Sequence, residues 1–146
     1  MKSLAQILEN FWKWSGINKE QYAQISDPTS VVEPFFYPEF ESLRLSCQSL
    51  INTSMDVNEI DDFLTCLALD SEEEVLLMWC KELASDSFID TISRAGCYHL
   101  QREARWQIAA LLQYRNTPMK ALYLQILAND TDNYVKRRAV NALQQM

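Results

Sequence analysis

Residues 68–83 read ALDSEEEVLLMWCKEL, and residues 128–143 read ANDTDNYVKRRAVNAL. Superimposed, Ala68 falls on Ala128, Asp70 on Asp130, Ser71 on Thr131, Glu72 on Asp132, Val75 on Val135, Trp79 on Ala139 and Leu83 on Leu143. Each copy is a short acidic turn followed by apolar residues at every fourth position, the spacing that lines one face of an α-helix. A turn and helix stated twice at a fixed separation mark a chain built from repeats. Such a unit cannot bury its apolar face alone and must stack on its neighbours.

Outward from these copies the chain reads as helical. Ser3 with Gln6 opens a first helix whose stripe is Leu4, Ile7, Leu8, Phe11 and Trp12, and Gly16 stops it. Asn18 caps a short helix over about 19–25. Residues 26–38 carry Pro28, Pro34 and Pro38 and read as extended. Their Val31, Val32, Phe35, Phe36 and Tyr37 make either a strap across the helices or an exposed aromatic loop. Phe40, Leu43, Cys47, Leu50 and Ile51 define a further helix. Asp56 with Glu59, Ser71 with Glu74, Ser87 with Asp90, and Thr117 with Pro118 read as helix starts. Gly96 reads as a stop, a longer helix covers about 99–114, and Asp132 or a neighbour opens the last one. Three helix pairs follow, 57–84, 87–115 and 118–146, behind an N-terminal helical segment over 1–55, all within one domain.

The spacing of Asp130, Val135, Lys136, Ala139 and Leu143 resembles the second-helix signature of HEAT and HEAT-like repeats. The first copy keeps Asp70, Val75 and Leu83 but has Leu76 where a basic residue is expected. The middle pair keeps Leu100, Ala104 and Ile108 and lacks the aspartate. The resemblance covers about 57–146 and implies an all-α fold, a right-handed α-solenoid of antiparallel helix pairs, with a habit of binding proteins. Residues 1–55 carry no such resemblance.

Composition agrees with a globular helical chain. The 146 residues are 48% hydrophobic and contain only two glycines, which excludes a disordered polymer and glycine-turned sheets. Cys47, Cys66, Cys80 and Cys97 are scattered through apolar runs, without the spacing of a zinc site or a disulfide framework. The N-terminal stretch MKSLAQILENFWKW is too interrupted for a signal peptide or membrane span. The expected setting is cytoplasmic. Charge is divided sharply. Residues 1–90 hold five Lys/Arg against seventeen Asp/Glu, a net −12, and residues 91–146 hold eight against three, a net +5.

Catalytic chemistry has little to draw on. His99 is the only histidine, and Cys97, two residues away, does not share its helix face. Phosphate-loop, nucleophile-elbow, zincin and EF-hand patterns are all missing. No catalytic residue, metal ligand or cofactor is assigned.

The carboxylates gather at helix starts, where the helix dipole stabilises each by about 0.3–1 kcal/mol. That does not account for a surplus of twelve negative charges. The surplus leaves a basic protein partner, a merely soluble acidic surface, or a metal as readings, of which the basic partner is favoured. The candidate acidic face is Asp56, Glu59, Asp61, Asp62, Glu72, Glu73 and Asp86. A secondary aromatic and basic set is Trp14, Phe36, Tyr37, Arg102, Arg105 and Arg137. A nucleic-acid footprint on the basic helices conflicts with the acidic balance of the whole. The reading is a non-enzymatic protein-binding repeat protein, most concretely an immunity-type inhibitor of a cationic toxin such as a nuclease. A general scaffold or adaptor, or a HEAT-like nucleic-acid binder or enzyme, is the alternative.

Overall fold

The computed structural model describes residues 2–25 and 33–146 and is all-helical, with no strand among the described residues. Among the described residues nine α-helices follow in order: α1 Leu4–Ser15, α2 Lys19–Ala23, α3 Phe40–Leu50, α4 Val57–Leu69, α5 Val75–Leu83, α6 Asp86–Gly96, α7 Arg102–Tyr114, α8 Lys120–Ala128 and α9 Asn133–Gln144. Helix α1 packs on α3 and α4, and α4 packs on α6 and α7. A second succession runs from α3 to α5, from α5 to α7 and from α7 to α9, with α8 set against α7 and α9. One apolar cluster runs through all of them, and Phe11, Leu43, Phe63, Leu64, Leu67, Leu77, Ile89, Ile108 and Leu112 are fully enclosed in it.

Several helix starts follow directly from local chemistry. The Ser3 hydroxyl accepts from the Gln6 amide, and Gly16 ends α1 in the left-handed region at φ 79°, which a side chain would strain. Asn18 with Gln21 and Asp56 with Glu59 each form reciprocal capping boxes. Asp132 accepts from the Tyr134 and Val135 amides.

Other starts differ from the sequence reading. Ser71 and Glu74 do not cap α5, because the Asp70 carboxylate reaches over the turn and accepts from the Leu76 amide at 2.7 Å. Glu74 instead takes a left-handed φ of 55°. The turn is therefore longer than its C-terminal counterpart, and α5 is rotated. Leu76, Leu77 and Cys80 are buried, while Val75 and Trp79 are only half-buried and Leu83 and Met78 are exposed. Helix α6 is capped by Ser85, whose hydroxyl accepts from Phe88, not by Ser87. Helix α7 begins at Arg102, leaving His99 and an exposed Leu100 in the connection before it. Thr117 and Pro118 precede α8, whose flanking Met119 gives no side-chain cap.

Gly96 is the last residue of α6, as the sequence suggests, without a left-handed φ. A Cβ there would lie 2.5 Å from Ile108 Cγ1, so glycine lets α6 approach α7 closely. In the proline segment, Pro28, Val31 and Val32 lie outside the described residues. Beyond them Pro34–Phe36 form a short 3-10 turn with Pro34 buried. Tyr37 is only 6% exposed, meeting Phe11 edge-on at 5.4 Å and Trp14 at 5.3 Å. This part is a strap, with Phe35 and Phe36 turned outward.

Both ends of α5 are held by arginines from neighbouring helices. Arg44 of α3 donates through Nε at 2.8 Å and Nη2 at 2.6 Å to Asp70 Oδ1. Its side chain is 11% exposed and that of Asp70 is 0%. Arg115, at the end of α7, donates to the carbonyls of Cys80, Lys81 and Ala84, the last at 2.6 Å, and to Asp86 at 3.0 Å. It thereby satisfies C-terminal carbonyls that the helix leaves unpaired. Arg44 recurs as Arg105, which donates to Asp130 at 2.8 Å. Replacing Arg44 by Met leaves Asp70 as an uncompensated buried charge and should cost about 3–5 kcal/mol in urea unfolding. Gly96→Ala should cost about 1–3 kcal/mol by overpacking. Wild-type midpoints in both variants would contradict this packing.

Candidate functional site

Helix α4 carries four of the seven candidate acidic residues over its start, and the structure gives them different tasks. Asp56 and Glu59 cap the helix reciprocally, each using one carboxylate oxygen. Asp61 is taken up by Lys19 at 3.7 Å and by His99 Nε2 at 3.1 Å. Asp62 has no hydrogen-bond or ion-pair partner among the described residues. Burial, with Asp61 beside it, pushes its carboxyl pKa up. Glu72 and Glu73 lie in the turn past the far end of α4, about 20 Å away at the helical rise. Glu73 is drawn to Arg44 at 3.3 Å, and Asp86 to Arg115 at 3.0 Å. The seven do not form one continuous face. Asp56, Glu59 and Asp62 come together and the others lie elsewhere.

These three carboxylates line a groove of about 360 Å³ between the starts of α1 and α4 and the end of α3, with Ser3, Ser46 and Leu50. Asp62 also borders a larger groove of about 700 Å³ between α1, the α1–α2 turn and α4. Ala5, Leu8 and Trp12 form its α1 wall, and Thr65 and Asp62 its α4 wall. The recurrence of Ala5, Leu8 and Trp12 is helical, but it runs beside the core stripe. The sequence reading merged the two and missed Trp12 and Thr65 as groove residues.

The basic and aromatic set divides in the same way. Arg102 donates to the Ile25 carbonyl at 2.6 Å and lies 3.6 Å from Glu103. Arg105 spends its donors on Asp130 and on the carbonyls of His99 and Leu100. Arg137 is exposed, with its guanidinium over Tyr134 at 5.5 Å. Trp14 is 37% exposed and Phe36 64%, whereas Tyr37, expected as an exposed anchor, is buried because the strap packs it under Phe11.

His99 is built in. Its Nδ1 accepts from the Gln101 amide at 3.0 Å, so Nε2 carries the proton toward Asp61. Thr65 Oγ1 lies 3.3 Å from Nε2 and donates to the Asp61 carbonyl. Gln101 reaches the Lys19 carbonyl at 2.8 Å, which ties α2 to the start of α7. The Cys97 thiol faces the Tyr123 carbonyl at 3.7 Å, and burial pushes its pKa up to about 12. Thiol and imidazole thus serve different partners. No three His, Cys, Asp or Glu residues are grouped as metal ligands among the described residues, and none of their helices is long and apolar enough to cross a membrane.

Comparison with protein-family models, with curated proteins and with solved structures gave no match.

Burial, reinforced by Arg105 and Lys19 and opposed by Asp61, lowers the His99 pKa below the ordinary 6.5. The folded protein therefore holds this proton less tightly than the unfolded chain. Stability from neutral His99 is complete above about pH 6.5 and is lost as pH falls through the lower folded-state value, by at most about 1.4 kcal/mol per pH unit. His99→Gln should remove this part of the slope in urea unfolding between neutral and mildly acidic pH. An identical slope in the variant would contradict the assignment.

Proposed function

We propose that this chain is a non-enzymatic, protein-binding repeat protein, a right-handed α-solenoid of antiparallel HEAT-like helix pairs, acting in the cytoplasm on a basic protein partner. Its most concrete form is an immunity-type inhibitor that neutralises a cationic toxin such as a nuclease. The observation that carries this reading is the unequal use of charge. Arg44, Arg94, Arg102, Arg105 and Arg115 each pair with a carboxylate of the same chain. Arg137 and Arg138 lie over Tyr134 at 5.5 and 5.7 Å. Asp62, Glu72, Glu74 and Glu82 have no cation within 4.0 Å among the described residues, and the three glutamates are exposed. Such pairing removes charge of both signs, and the excess of 20 acidic over 13 basic residues is left on carboxylates such as these. Negative potential of this kind speeds encounter with a cationic partner and repels phosphate backbones.

The two successions of helix contacts, from α1 through α4 to α6 and from α3 through α5 and α7 to α9, support the solenoid reading. The scaffold or adaptor reading uses the same surface with a different partner. The nucleic-acid reading is disfavoured because Arg102 and Arg105 are committed to internal contacts.

The test is stopped-flow association with the basic protein that the immobilised chain retains from its own lysate. Glu72→Lys, Glu74→Lys and Glu82→Lys together should slow association about tenfold or more at low ionic strength. The melting temperature should stay within a few degrees. An unchanged association rate would remove the basic-partner reading.

A further inference from the structure

We infer that the groove between α1, the α1–α2 turn and α4 receives an arginine side chain of the basic partner, its guanidinium on the Asp62 carboxylate and its flat face toward the Trp12 indole. This rests on the basic-partner reading and gives it a docking point.

The surrounding aspartates supply the reason. Asp70, Asp90 and Asp130 each hold an arginine of this chain, at 2.6, 3.3 and 2.8 Å. Asp61, the residue before Asp62, holds Lys19 and His99. Asp62 is half-buried on a groove wall and holds nothing among the described residues. A carboxylate partly withdrawn from water without a partner is costly to keep ionised, and an arriving cation recovers that cost.

Two lysines, Lys13 and Lys19, also line the groove and are already engaged with other carboxylates. Lys13 is 3.3 Å from Glu9, and Lys19 is 3.7 Å from Asp61. The groove volume of about 700 Å³ admits a side chain together with part of the segment that bears it. The opposite wall, Leu8 and Trp12, is apolar and aromatic. A planar, weakly hydrated guanidinium can stack on an indole while bonding a carboxylate, and a compact ammonium does this less well. Glu20, with no cation within 4.0 Å among the described residues, also lines the groove and adds negative charge.

The probe is N-acetylargininamide, titrated into the isotope-labelled full chain and followed by amide and indole NMR shifts. N-acetyllysinamide and the neutral N-acetylcitrullinamide are run alongside. Saturable shifts are expected at the Trp12 indole N–H and at the Gln21 and Thr65 amides, strongest for the arginine compound and lost for citrulline. Asp62→Asn should weaken binding about tenfold or more without lowering the melting temperature, since nothing bonds the native carboxylate. Equal shifts from citrulline or from lysine, persistence in Asp62→Asn, or no saturable shift would each overturn the inference. If the groove fails while the Glu72, Glu74 and Glu82 reversals still slow association, the basic-partner reading stands without this docking point. If argininamide binds at Asp62 but those reversals change nothing, it is the partner reading that fails.

Discussion

The buried pair of Arg44 and Asp70 is the constraint on which the rest of the molecule turns. A carboxylate with no solvent exposure cannot stay charged without close partners, and this one has a two-pronged guanidinium contact and the Leu76 amide. Those bonds join α3 to the α4–α5 turn and set where α5 begins. The same device joins α7 to the α8–α9 turn through Arg105 and Asp130. There the aspartate accepts from Asp132 only two residues on, so α9 starts earlier in its repeat than α5 does. One repeated motif thus produces two helices of different rotation. The difference lies in which backbone amide the aspartate captures.

Spending arginines in this way shapes the surface as much as the core. Arg44, Arg105 and Arg115 all point inward to turns and helix ends, where they satisfy carboxylates and carbonyls that would otherwise be unpaired. The C-terminal half, basic by composition, thereby draws part of its positive charge inward, while Lys136 and Arg137 stay exposed. The unpaired negative charge that remains includes Glu72, Glu74 and Glu82 on exposed turns and helix surface, and Asp62 in its groove. The proposed basic partner and the proposed arginine site both follow from this division of labour between the two signs of charge.

Much of the architecture was legible in the sequence because helix starts are local events. Asp56 with Glu59, Asn18 with Gln21, and Asp132 announce themselves through short-range bonds to nearby amides. The false starts arose where several small polar residues compete. Ser85 and Ser87 are equivalent by composition, and only the direction of the chain leaving α5, fixed by Asn52 bonding Leu83 and Ser85, selects Ser85. Gly96 closes α6 as the sequence suggests, but its close approach to Ile108 is a tertiary fact that no local pattern announces. The acidic surplus was legible as a count. Its sorting into Asp61 and Glu73, which hold cations, and Asp62, which does not, depends on Lys19, His99 and Arg44 arriving from other elements. Nothing in the local sequence distinguishes Asp61 from Asp62.

The division of charge is tested most directly by comparing retention of the intact chain on an immobilised polyanion, duplex DNA, and on an immobilised polyarginine. Both columns would be run at about 0.15 M salt, where surface charge is screened beyond about 8 Å. With Arg44, Arg105 and Arg115 committed to internal contacts and Glu72, Glu74 and Glu82 exposed without cations, the chain should pass through DNA and be held by polyarginine, with release as salt rises. Salt-sensitive retention on DNA equal to or stronger than that on polyarginine would contradict it.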